Sequence, residues 1–253
     1  MATLTGRHAL VTGGGRGIGR AVAARLAGAG ATVTVLGRNE GPLRAAIADG
    51  HAKGHVVADV TDASAMAAGL TRATENHGPI DILVANAGGA ESALFLKTDA
   101  DAFRRMFEVN VMGVVHGIRA VLDSMTARGF GRIVAVASTA GLKGYAYVSA
   151  YCAAKHAVIG LVRALAQETA KSGVTVNAVC PGYTDTDLVR DSVARTASKT
   201  RRTPQETLAE LLKDEPLGRL ITPDEVAATV LFLCTAEAAA ITGTSVAIAG
   251  GEL

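Results

Sequence analysis

Two polar side chains, Tyr151 and Lys155, stand four residues apart in the otherwise apolar stretch SAYCAAKHAVIGLV at residues 149–162. Four residues is about one helical turn, so both side chains would leave the same face of a helix, one above the other. A phenol held beside an ammonium on a buried face is suited to act as a prepared acid. The alternative is a chance pair at the edge of a helix, and the surrounding elements must decide between the two.

Short β-branched or apolar runs alternate along the chain with longer segments whose apolar residues recur every three or four positions. The runs predict strands that are apolar on both faces, and the segments between them predict helices that cover a parallel sheet on both sides. We therefore predict an α/β fold, a doubly wound, Rossmann-type sheet of about seven strands in a single domain over residues 1–253, with ligands bound at the carboxyl ends of the strands. The predicted strands are HALVT (8–12), TVTVL (32–36), HVVAD (55–59), DILVA (81–85), RIVAVAS (132–138), VTVNAVC (174–180) and TSVAI (244–248).

Composition excludes several classes of protein. Hydrophobic residues make up 49% of the 253 positions, which is enough for a sizeable core, and the formal charge of +2 is spread along the chain without a nucleic-acid or membrane-surface footprint. Cys152, Cys180 and Cys234 lie far apart, so we predict small buried hydrophobes in a reducing compartment and no metal site. No apolar run has the length of a membrane span, and we expect a cytoplasmic protein.

A long polar stretch at residues 183–215 follows the predicted strand VTVNAVC and the Pro181–Gly182 break. Insertions of this length at the carboxyl end of a strand are usually lids or binding loops, and we predict a substrate lid. Its basic residues would attract an anionic carrier, whereas its acidic residues dilute that field, so docking surface and solvated loop both remain open. The basic residues are Arg190, Arg195, Lys199, Arg201 and Arg202.

The first predicted strand runs directly into the glycine-rich turn TGGGRGIG at residues 12–19, and a helical pattern follows. Residues without side chains permit a tight turn and a close approach to a pyrophosphate at a helix N-terminus, where free N–H groups point outward. Gly13, Gly17 and Gly19 depart from the usual G-x-G-x-x-G spacing of dinucleotide folds. The position of the turn in the first βαβ unit favours a phosphate site over a purely structural turn.

The end of the second predicted strand, VLGRNE, bears on which dinucleotide binds. Folds that take NAD usually carry an acidic residue there, which holds the ribose 2′-hydroxyl. Here Gly37 and Arg38 follow the strand, and a guanidinium pairs with a 2′-phosphate in fork geometry. Arg16 adds a second positive charge in the glycine turn, although each arginine taken alone also fits a solvated surface residue. We predict NADP rather than NAD.

Further motifs accompany the glycine turn and the Tyr–Lys pair. In chain order the full set is TGGGRGIG, Asp59–Val60, the NAG run at 86–88, Asn110, Ser138, Tyr151-x-x-x-Lys155 and PGYTDT at 181–186. In this order and at these separations, the motifs resemble the short-chain dehydrogenase/reductase family in its compact single-domain branch. The resemblance covers nearly the whole chain and implies hydride transfer between a nicotinamide dinucleotide and a ketone or secondary alcohol. It also implies a homotetramer built partly through residues 99–127 and 148–171.

The resemblance implies a catalytic set of four residues. Tyr151 would be the general acid that protonates the carbonyl oxygen, and the Lys155 ammonium would lower the phenol pKa from its ordinary value of about 10. Ser138 would hydrogen-bond the substrate oxygen. Asn110 would interrupt the hydrogen bonding of its helix and hold a water that relays protons to Lys155.

The resemblance also implies the contacts of the cofactor. Asp59 and Val60 would hold the adenine ring. Ala85 stands where the family usually has a first Asn, and we expect a structural adjustment there rather than a loss of binding. The implied contact set is Gly13, Arg16, Gly17, Ile18, Gly19, Arg38, Asp59, Val60, Asn86, Ala87, Gly88, Tyr151, Lys155, Pro181, Gly182, Thr184 and Thr186.

The substrate is predicted only by class. The chain resembles 3-oxoacyl and polyketide ketoreductases and also 3-hydroxybutyrate dehydrogenases, but the carboxylate-binding positions of the latter match Ala90, Ala140 and Val148, which are apolar. We therefore predict a ketone such as a 3-oxoacyl thioester on coenzyme A or acyl carrier protein. The arginines that dock a carrier protein in oxoacyl reductases match Gly129 and Ser172, with Arg128 and Lys171 one residue earlier.

Two other functions remain open at this point. One is an NAD-linked hydroxy-compound dehydrogenase that works oxidatively, and the other is a protein that senses dinucleotide without catalysis. A serine hydrolase is disfavoured because the chain has no G-x-S-x-G nucleophile elbow.

Overall fold

The structure, a computed structural model, describes residues 3–213 and 215–253, and the side chain of Lys199 falls outside that description. Within these residues, seven parallel strands form one sheet in the order β3-β2-β1-β4-β5-β6-β7. The doubly wound parallel sheet predicted from the sequence is confirmed, and each predicted strand overlaps an observed one. The strands are β1 His8–Thr12, β2 Thr32–Gly37, β3 Gly54–Val57, β4 Ile82–Ala85, β5 Gly131–Val136, β6 Val174–Pro181 and β7 Ser245–Ile248.

Helices cover both faces of the sheet, and the core is divided accordingly. Neighbouring residues of one strand point to opposite faces. Leu10 therefore packs with the helices of one layer (α3, α5 and α6), and Val11 packs with those of the other (α1, α2 and α9). None of the described helices is long and apolar enough to cross a membrane. The helices are α1 Gly17–Gly28, α2 Glu40–Ala48, α3 Ala63–His77, α4 Ala100–Phe107, α5 Gly113–Ala127, α6 Ser149–Thr169, α7 Asp187–Thr200, α8 Pro204–Leu212 and α9 Pro223–Cys234.

The three cysteines are buried and free, as predicted. Cys180 lies on β6 and Cys234 ends α9, and both are completely shielded by the core, while Cys152 is packed on α6. Burial raises the pKa of the Cys234 thiol to about 12 and that of the Cys180 thiol to about 11, so neither is a thiolate at neutral pH.

The strand order reverses at β1, because β2 and β3 lie on one side of it and β4 on the other. The loops that leave the carboxyl ends of β1 and β4 therefore part at this point and leave a crevice between them. The register pairs Val11 of β1 with Val84 of β4, so the two loops start at the same level.

A π-helical turn, Glu108–Met112, joins α4 to α5. The Asn110 side chain explains the wider turn, since its Nδ2 donates to the carbonyl of Met106 at 3.0 Å. In an α-helix that carbonyl, four residues earlier, would accept from the Asn110 backbone N–H instead. The interruption of the helix expected at Asn110 is thus observed.

The polar stretch after β6 forms a helical pair, α7 and α8, rather than an irregular loop. A parallel bridge between Thr184 and Ile221 closes its base, where Ile221 donates to the Tyr183 carbonyl at 2.9 Å. Helix α8 begins at Pro204 with a reciprocal capping box between Thr203 and Glu206. Asp214, near the end of the predicted lid, lies outside the described residues.

Candidate active site

The loops that follow β1, β2, β4, β5 and β6 enclose a cleft of about 340 Å³ at the carboxyl edge of the sheet. All predicted catalytic residues and all predicted cofactor contacts line this cleft, with the exception of Gly19. The residues predicted from the sequence therefore lie together in one cleft of the structure. Lining residues that we did not predict are Gly15, Asn39, Pro42, Leu43, Ala58, Gly89, Val109, Val136, Ala137, Asp187, Leu188, Val189 and Asp191.

The glycine turn after β1 depends on the absence of side chains. Gly13 and Gly17 have φ angles of 66° and 51°, in the left-handed region that favours glycine. Gly19 lies away from the cleft, contrary to the prediction. A Cβ on Gly19 would lie 2.3 Å from the Gly13 carbonyl oxygen, so this glycine packs α1 against the turn. The bare turn at the start of α1 fits the pyrophosphate of a dinucleotide.

Asn86 ties the loop after β4 to the loop after β1. Its Nδ2 donates to the carbonyls of Thr12 and Gly13 at 2.9 and 3.3 Å. The backbone N–H groups of Asn86 and Ala87 both donate to Thr12 Oγ1 at 3.0 Å. Ala85 continues β4 beside Ala135 of β5 and needs no polar partner. These bonds hold the two walls of the crevice in a fixed relation.

The far end of the cleft carries two arginines. Arg38 follows β2, its side chain is 71% exposed, and its Nη1 lies 3.8 Å from Asp59 Oδ2. Exposed pairs of this kind contribute little, so the guanidinium can turn towards another anion. Hydrogen bonds from Thr61 lower the pKa of Asp59, which accepts from the Thr61 N–H and hydroxyl at 2.9 Å each. Arg16 stands at the N-cap of α1 and makes no capping bond with its side chain.

Tyr151 and Lys155 share one face of α6, as their spacing predicted. Lys155 is 5% exposed, and its Nζ lies 5.6 Å from the centre of the Tyr151 ring. The ammonium donates to the carbonyl of Val136 at 2.9 Å. Ser138 follows β5, with its Oγ held by the Ala140 N–H at 3.1 Å. The phenol, the ammonium and the hydroxyl thus meet at the floor of the cleft.

The proton affinities at this floor differ from those predicted. Burial raises the pKa of Tyr151 to about 12, and a hydrogen bond with Ser138 opposes the rise. Burial also lowers the pKa of Lys155 to about 8. The prediction that Lys155 brings the phenol pKa below 10 is therefore wrong for the chain on its own, because desolvation of the phenolate is the largest influence and the hydrogen bond with Ser138 offsets it only in part. The phenol stays protonated at neutral pH, which is the state that a proton donor requires.

Asn110 and Gly88 leave a small gap beside Lys155. Asn110 is completely buried and bonds Gly89 twice: Nδ2 donates to the Gly89 carbonyl at 2.9 Å, and Oδ1 accepts from its N–H at 3.3 Å. A Cβ on Gly88 would lie 2.7 Å from Asn110 Oδ1 and 3.6 Å from Lys155 Nζ. The gap is too small for a methyl group, so residue 88 has no room for a side chain.

Three of the seven predicted carrier-docking cations pair with neighbouring acidic groups. Arg190 pairs with Asp185 and, at 3.0 Å, with Asp187. Arg202 lies 4.0 Å from Glu210. Arg128 donates to Asp81 and to the Ile80 carbonyl at the amino edge of the sheet, opposite the cleft. The Lys199 side chain falls outside the described residues. These pairs favour a solvated polar surface on the lid.

Sequence reasoning missed two groups at the substrate side. Leu188, Val189 and Asp191 line the cleft from the start of α7. The sequence could have indicated them, because they come directly after the motif PGYTDT. Lys143 and Glu252 form an ion pair at 3.0 Å across 109 residues, and no local pattern indicates such a contact.

Known proteins resemble this chain over its whole length. A family model described as short chain dehydrogenase matches residues 7–197. Oxidoreductase UcpA of Escherichia coli O157:H7 is 40% identical over 258 residues, which cover 100% of this chain and 96% of the relative. The acetoacetyl-CoA reductase of Shinella zoogloeoides is 38% identical over 97% of this chain and 98% of its own.

A solved structure has the same fold as this chain. The crystal structure of a variant of actinorhodin polyketide ketoreductase with NADPH superposes with a TM-score of 0.94 and 34% identity, covering 100% of this chain and 99% of that one. Fold, cleft and sequence therefore agree. The chain belongs to the short-chain dehydrogenase family, and it is an oxidoreductase that transfers hydride between a nicotinamide dinucleotide and a ketone or secondary alcohol.

Proposed function

We propose that this protein uses NADPH to reduce a ketone that carries no carboxylate to a secondary alcohol, with Tyr151 as the proton donor. One observation carries the proposal: Tyr151, Lys155 and Ser138 meet at the floor of a cleft whose opposite end carries Arg38. A binding protein that only senses dinucleotide has no need for a protonated phenol beside an ammonium and a hydroxyl.

The chemistry divides between the cofactor and the floor of the cleft. A bound nicotinamide dinucleotide supplies the hydride that adds to the ketone carbon. Ser138 Oγ holds the carbonyl oxygen near the phenol, and Tyr151 transfers its proton to that oxygen as negative charge develops. The Lys155 ammonium stabilises the phenolate that remains, an effect that is stronger away from bulk water.

Lys155 and Asn110 give the phenolate a route to recover its proton. Lys155 donates its proton to Tyr151 and is reprotonated from the solvent through a water held by the carboxamide of Asn110, which passes one proton on as it takes another. Asn110 is suited to this role because its own hydrogen bonds to Met106 and Gly89 fix its orientation. A water in this position would have two polar partners, as buried waters generally do.

The cofactor contacts follow the cleft from end to end. Arg38 and Arg16 pair with the 2′-phosphate, and Asp59 and Val60 hold the adenine ring. Gly13, Gly17 and Ile18 approach the pyrophosphate, and Asn86, Ala87 and Gly88 border the adenosine ribose.

At the other end of the cleft, Lys155 and Tyr151 lie by the nicotinamide ribose. Pro181, Gly182, Thr184 and Thr186 frame the nicotinamide carboxamide.

The substrate class follows from three apolar positions. Ala90, Ala140 and Val148 offer no partner to a carboxylate, which favours a carbonyl compound without a carboxylate, such as a 3-oxoacyl thioester or a polyketide-like ketone. The acetoacetyl-CoA reductase and the actinorhodin ketoreductase support this class. Because Arg128 is occupied by Asp81, coenzyme A is the better candidate than acyl carrier protein for a bound carrier. The helices of residues 183–213 close over this substrate as a lid.

We also propose a cytoplasmic homotetramer. Leu94, Phe95 and Leu96 are exposed by 53%, 67% and 96% in the loop before α4, and contiguous apolar surface of this kind usually marks an interface. Light scattering on the purified protein would give four times the mass of 25.7 kDa, whereas a monomeric mass would contradict the assembly.

A cofactor assay tests the proposed function most simply. Ketones without a carboxylate, among them ethyl acetoacetate and acetoacetyl-CoA, would be reduced with NADPH and with NADH, and the absorbance of the reduced cofactor followed. We expect a higher kcat/KM with NADPH and a loss of that preference in Arg38→Leu, with the lid variant Arg195→Leu as a matched surface control. Equal preference in wild type and Arg38→Leu would contradict the NADP assignment.

A further inference from the structure

A buried carboxylate lies behind the substrate side of the cleft. Glu252, which follows β7 through a turn at Gly250 and Gly251, has a side chain that is only 4% exposed. Its Oε1 lies 3.0 Å from Lys143 Nζ and accepts a hydrogen bond from the Tyr145 hydroxyl. Both partners come from residues 139–148, the loop that joins Ser138 to α6.

The same carboxylate reaches the opposite wall of the cleft. Its Oε2 is buried without a hydrogen-bond partner among the described residues, and a Cβ on Gly182 would lie 3.1 Å from it. Gly182 lines the cleft directly. Glu252 therefore stands between the loop that carries Ser138 and the strand end that leads into the lid.

The hydrogen bonds of Tyr145 fix the position of an aromatic wall, which consists of the Tyr145 and Tyr183 rings. A carboxylate only accepts, so the single phenolic proton of Tyr145 goes to Glu252, and the Thr139 hydroxyl, 2.7 Å away, donates to the phenolic oxygen. The Tyr145 ring then meets the Tyr183 ring edge to face at 6.3 Å. Thr139 adjoins Ser138, and Tyr183 adjoins Gly182, so this wall continues the lining of the cleft.

Lys143 is the one charged residue of the 139–148 loop. Its side chain is 39% exposed, and an unpaired ammonium there would attract an anionic substrate. Glu252 neutralises that charge, because its Oε1 pairs with Lys143 Nζ. The backbone carbonyl of Glu252 also accepts a hydrogen bond from the same Nζ at 3.4 Å. The substrate side thereby combines apolar positions with a neutralised cation.

We propose that Glu252 is a specificity-determining residue, whose carboxylate neutralises Lys143 and fixes Tyr145 so that the site takes neutral ketones and discriminates against ketones that carry a carboxylate. This inference rests on the proposed function, which it deepens by naming the residue that sets the charge of the substrate. Glu252 acts through Lys143 and does not touch the reacting atoms.

The test compares an anionic and a neutral ketone that share one reacting group, acetoacetate and ethyl acetoacetate. Glu252→Gln removes the charge, keeps an oxygen that accepts from Tyr145 and keeps the backbone carbonyl that holds Lys143. We expect the ratio of kcat/KM for acetoacetate to that for the ester to rise at least about tenfold, which equals about 1.4 kcal/mol. The double variant K143M/E252Q should return the ratio to the wild-type value.

Asp101→Asn serves as the matched control, because it removes an exposed ion pair with Arg104 and should leave the ratio unchanged. A fall in both rates with an unchanged ratio in Glu252→Gln would overturn the inference and leave Glu252 a role in folding alone. Measured in the Tyr151→Phe background, where turnover is slow, the dissociation constants of both ketones from the NADPH complex, followed by the fluorescence of bound NADPH, give the same comparison from binding alone. Absence of turnover in the wild type would instead refute the proposed function.

Discussion

The two edges of the sheet differ in how completely the hydrogen bonds of their buried polar groups are satisfied. At the amino edge, His8 on β1 is 2% exposed, and its ring nitrogens lie 2.7 Å from the Gly78 carbonyl and 2.9 Å from Thr34 Oγ1. Asp81 accepts from the His8 N–H at 3.1 Å and pairs with Arg128. The polar groups of this network satisfy one another, which is the rule for buried polar groups.

At the carboxyl edge, polar groups of similar burial point into a cleft. Lys155 is 5% exposed, and among the described residues its ammonium makes one hydrogen bond, to Val136, out of three possible donations. Tyr151 stands beside it, and Gly88 leaves no side chain between Asn110 and the ammonium. The comparison teaches that burial alone does not mark a functional group. Lys155 combines burial, unused hydrogen-bonding capacity and a place in the lining of the cleft.

The largest expected effect comes from Tyr151→Phe at the carboxyl edge. Loss of the general acid should lower kcat/KM for ketone reduction by about 10² to 10⁴. NADPH affinity and the unfolding midpoint should not fall, because only a hydroxyl is removed. Tyr147→Phe is the matched control, since Tyr147 is 61% exposed. Steady-state kinetics and cofactor titration check this, and a variant that keeps most of its activity would contradict the role of the phenol.

The next effect is a divergence between activity and stability with pH. Burial lowers the pKa of Lys155 from 10.5 to about 8, so the folded protein loses the ammonium as pH rises through about 8. The rate of reduction should fall there. The unfolded lysine keeps its proton to higher pH, so between pH 8 and 10.5 the contribution of Lys155 to stability rises instead.

Rate–pH profiles and denaturant unfolding at each pH measure the two trends. Lys155→Met should be almost inactive and should lack the rise in stability, whereas Lys171→Met, at an exposed position beyond α6, should match the wild type. A wild-type rate that stays level from pH 7 to 10 would contradict the assigned role of the ammonium.

A smaller effect is expected from filling the gap beside Asn110. Gly88→Ala places a methyl group 2.7 Å from Asn110 Oδ1, and displacement of the Asn110 and Lys155 side chains should lower kcat/KM by about tenfold or more. The neighbouring Gly89→Ala adds the same methyl group where nothing lies within 4 Å, so it should change activity much less. Equal losses in the two variants would show that the gap has no special role.

The sequence predicted the strands and the glycine turn because both are local. The runs HALVT and TVTVL are apolar on both faces, and they became β1 and β2 with little change in their bounds. Gly13 and Gly17 adopt the positive φ angles that their turn requires. The Tyr151–Lys155 pair followed from helical spacing alone.

The features of the site that were not predicted depend on burial and on long-range contacts, which a local sequence pattern does not encode. The pKa of Tyr151 rises because the fold removes water from the phenol, and the four-residue spacing carries no information about that desolvation. Gly19 was predicted as a phosphate contact because it belongs to the glycine turn, but α1 turns it towards Gly13. The pair Lys143–Glu252 forms only when β7 lies beside β6.

The smallest effect belongs to the amino edge. Burial, together with the nearby His77, lowers the pKa of His8 from 6.5, while the Gly78 carbonyl and Asp81 oppose this. The unfolded chain therefore binds a proton first as pH falls below 6.5, and stability should decline there by at most about 1.4 kcal/mol per pH unit. His8→Gln should flatten this decline without changing activity, whereas His156→Gln, an exposed control, should not. An unchanged slope in His8→Gln would contradict the account of this edge.

The central claim is that the cleft passes hydride directly from the dinucleotide to a ketone carbon while Tyr151 protonates the oxygen. Reduction of ethyl acetoacetate with NADPH deuterated at the transferable position of its nicotinamide C4, followed by mass spectrometry of the alcohol, tests it most directly. The account predicts one deuterium on the carbinol carbon of each product molecule, and none in a reaction run with unlabelled NADPH in D₂O. A carbinol carbon that takes its hydrogen from the solvent would contradict it.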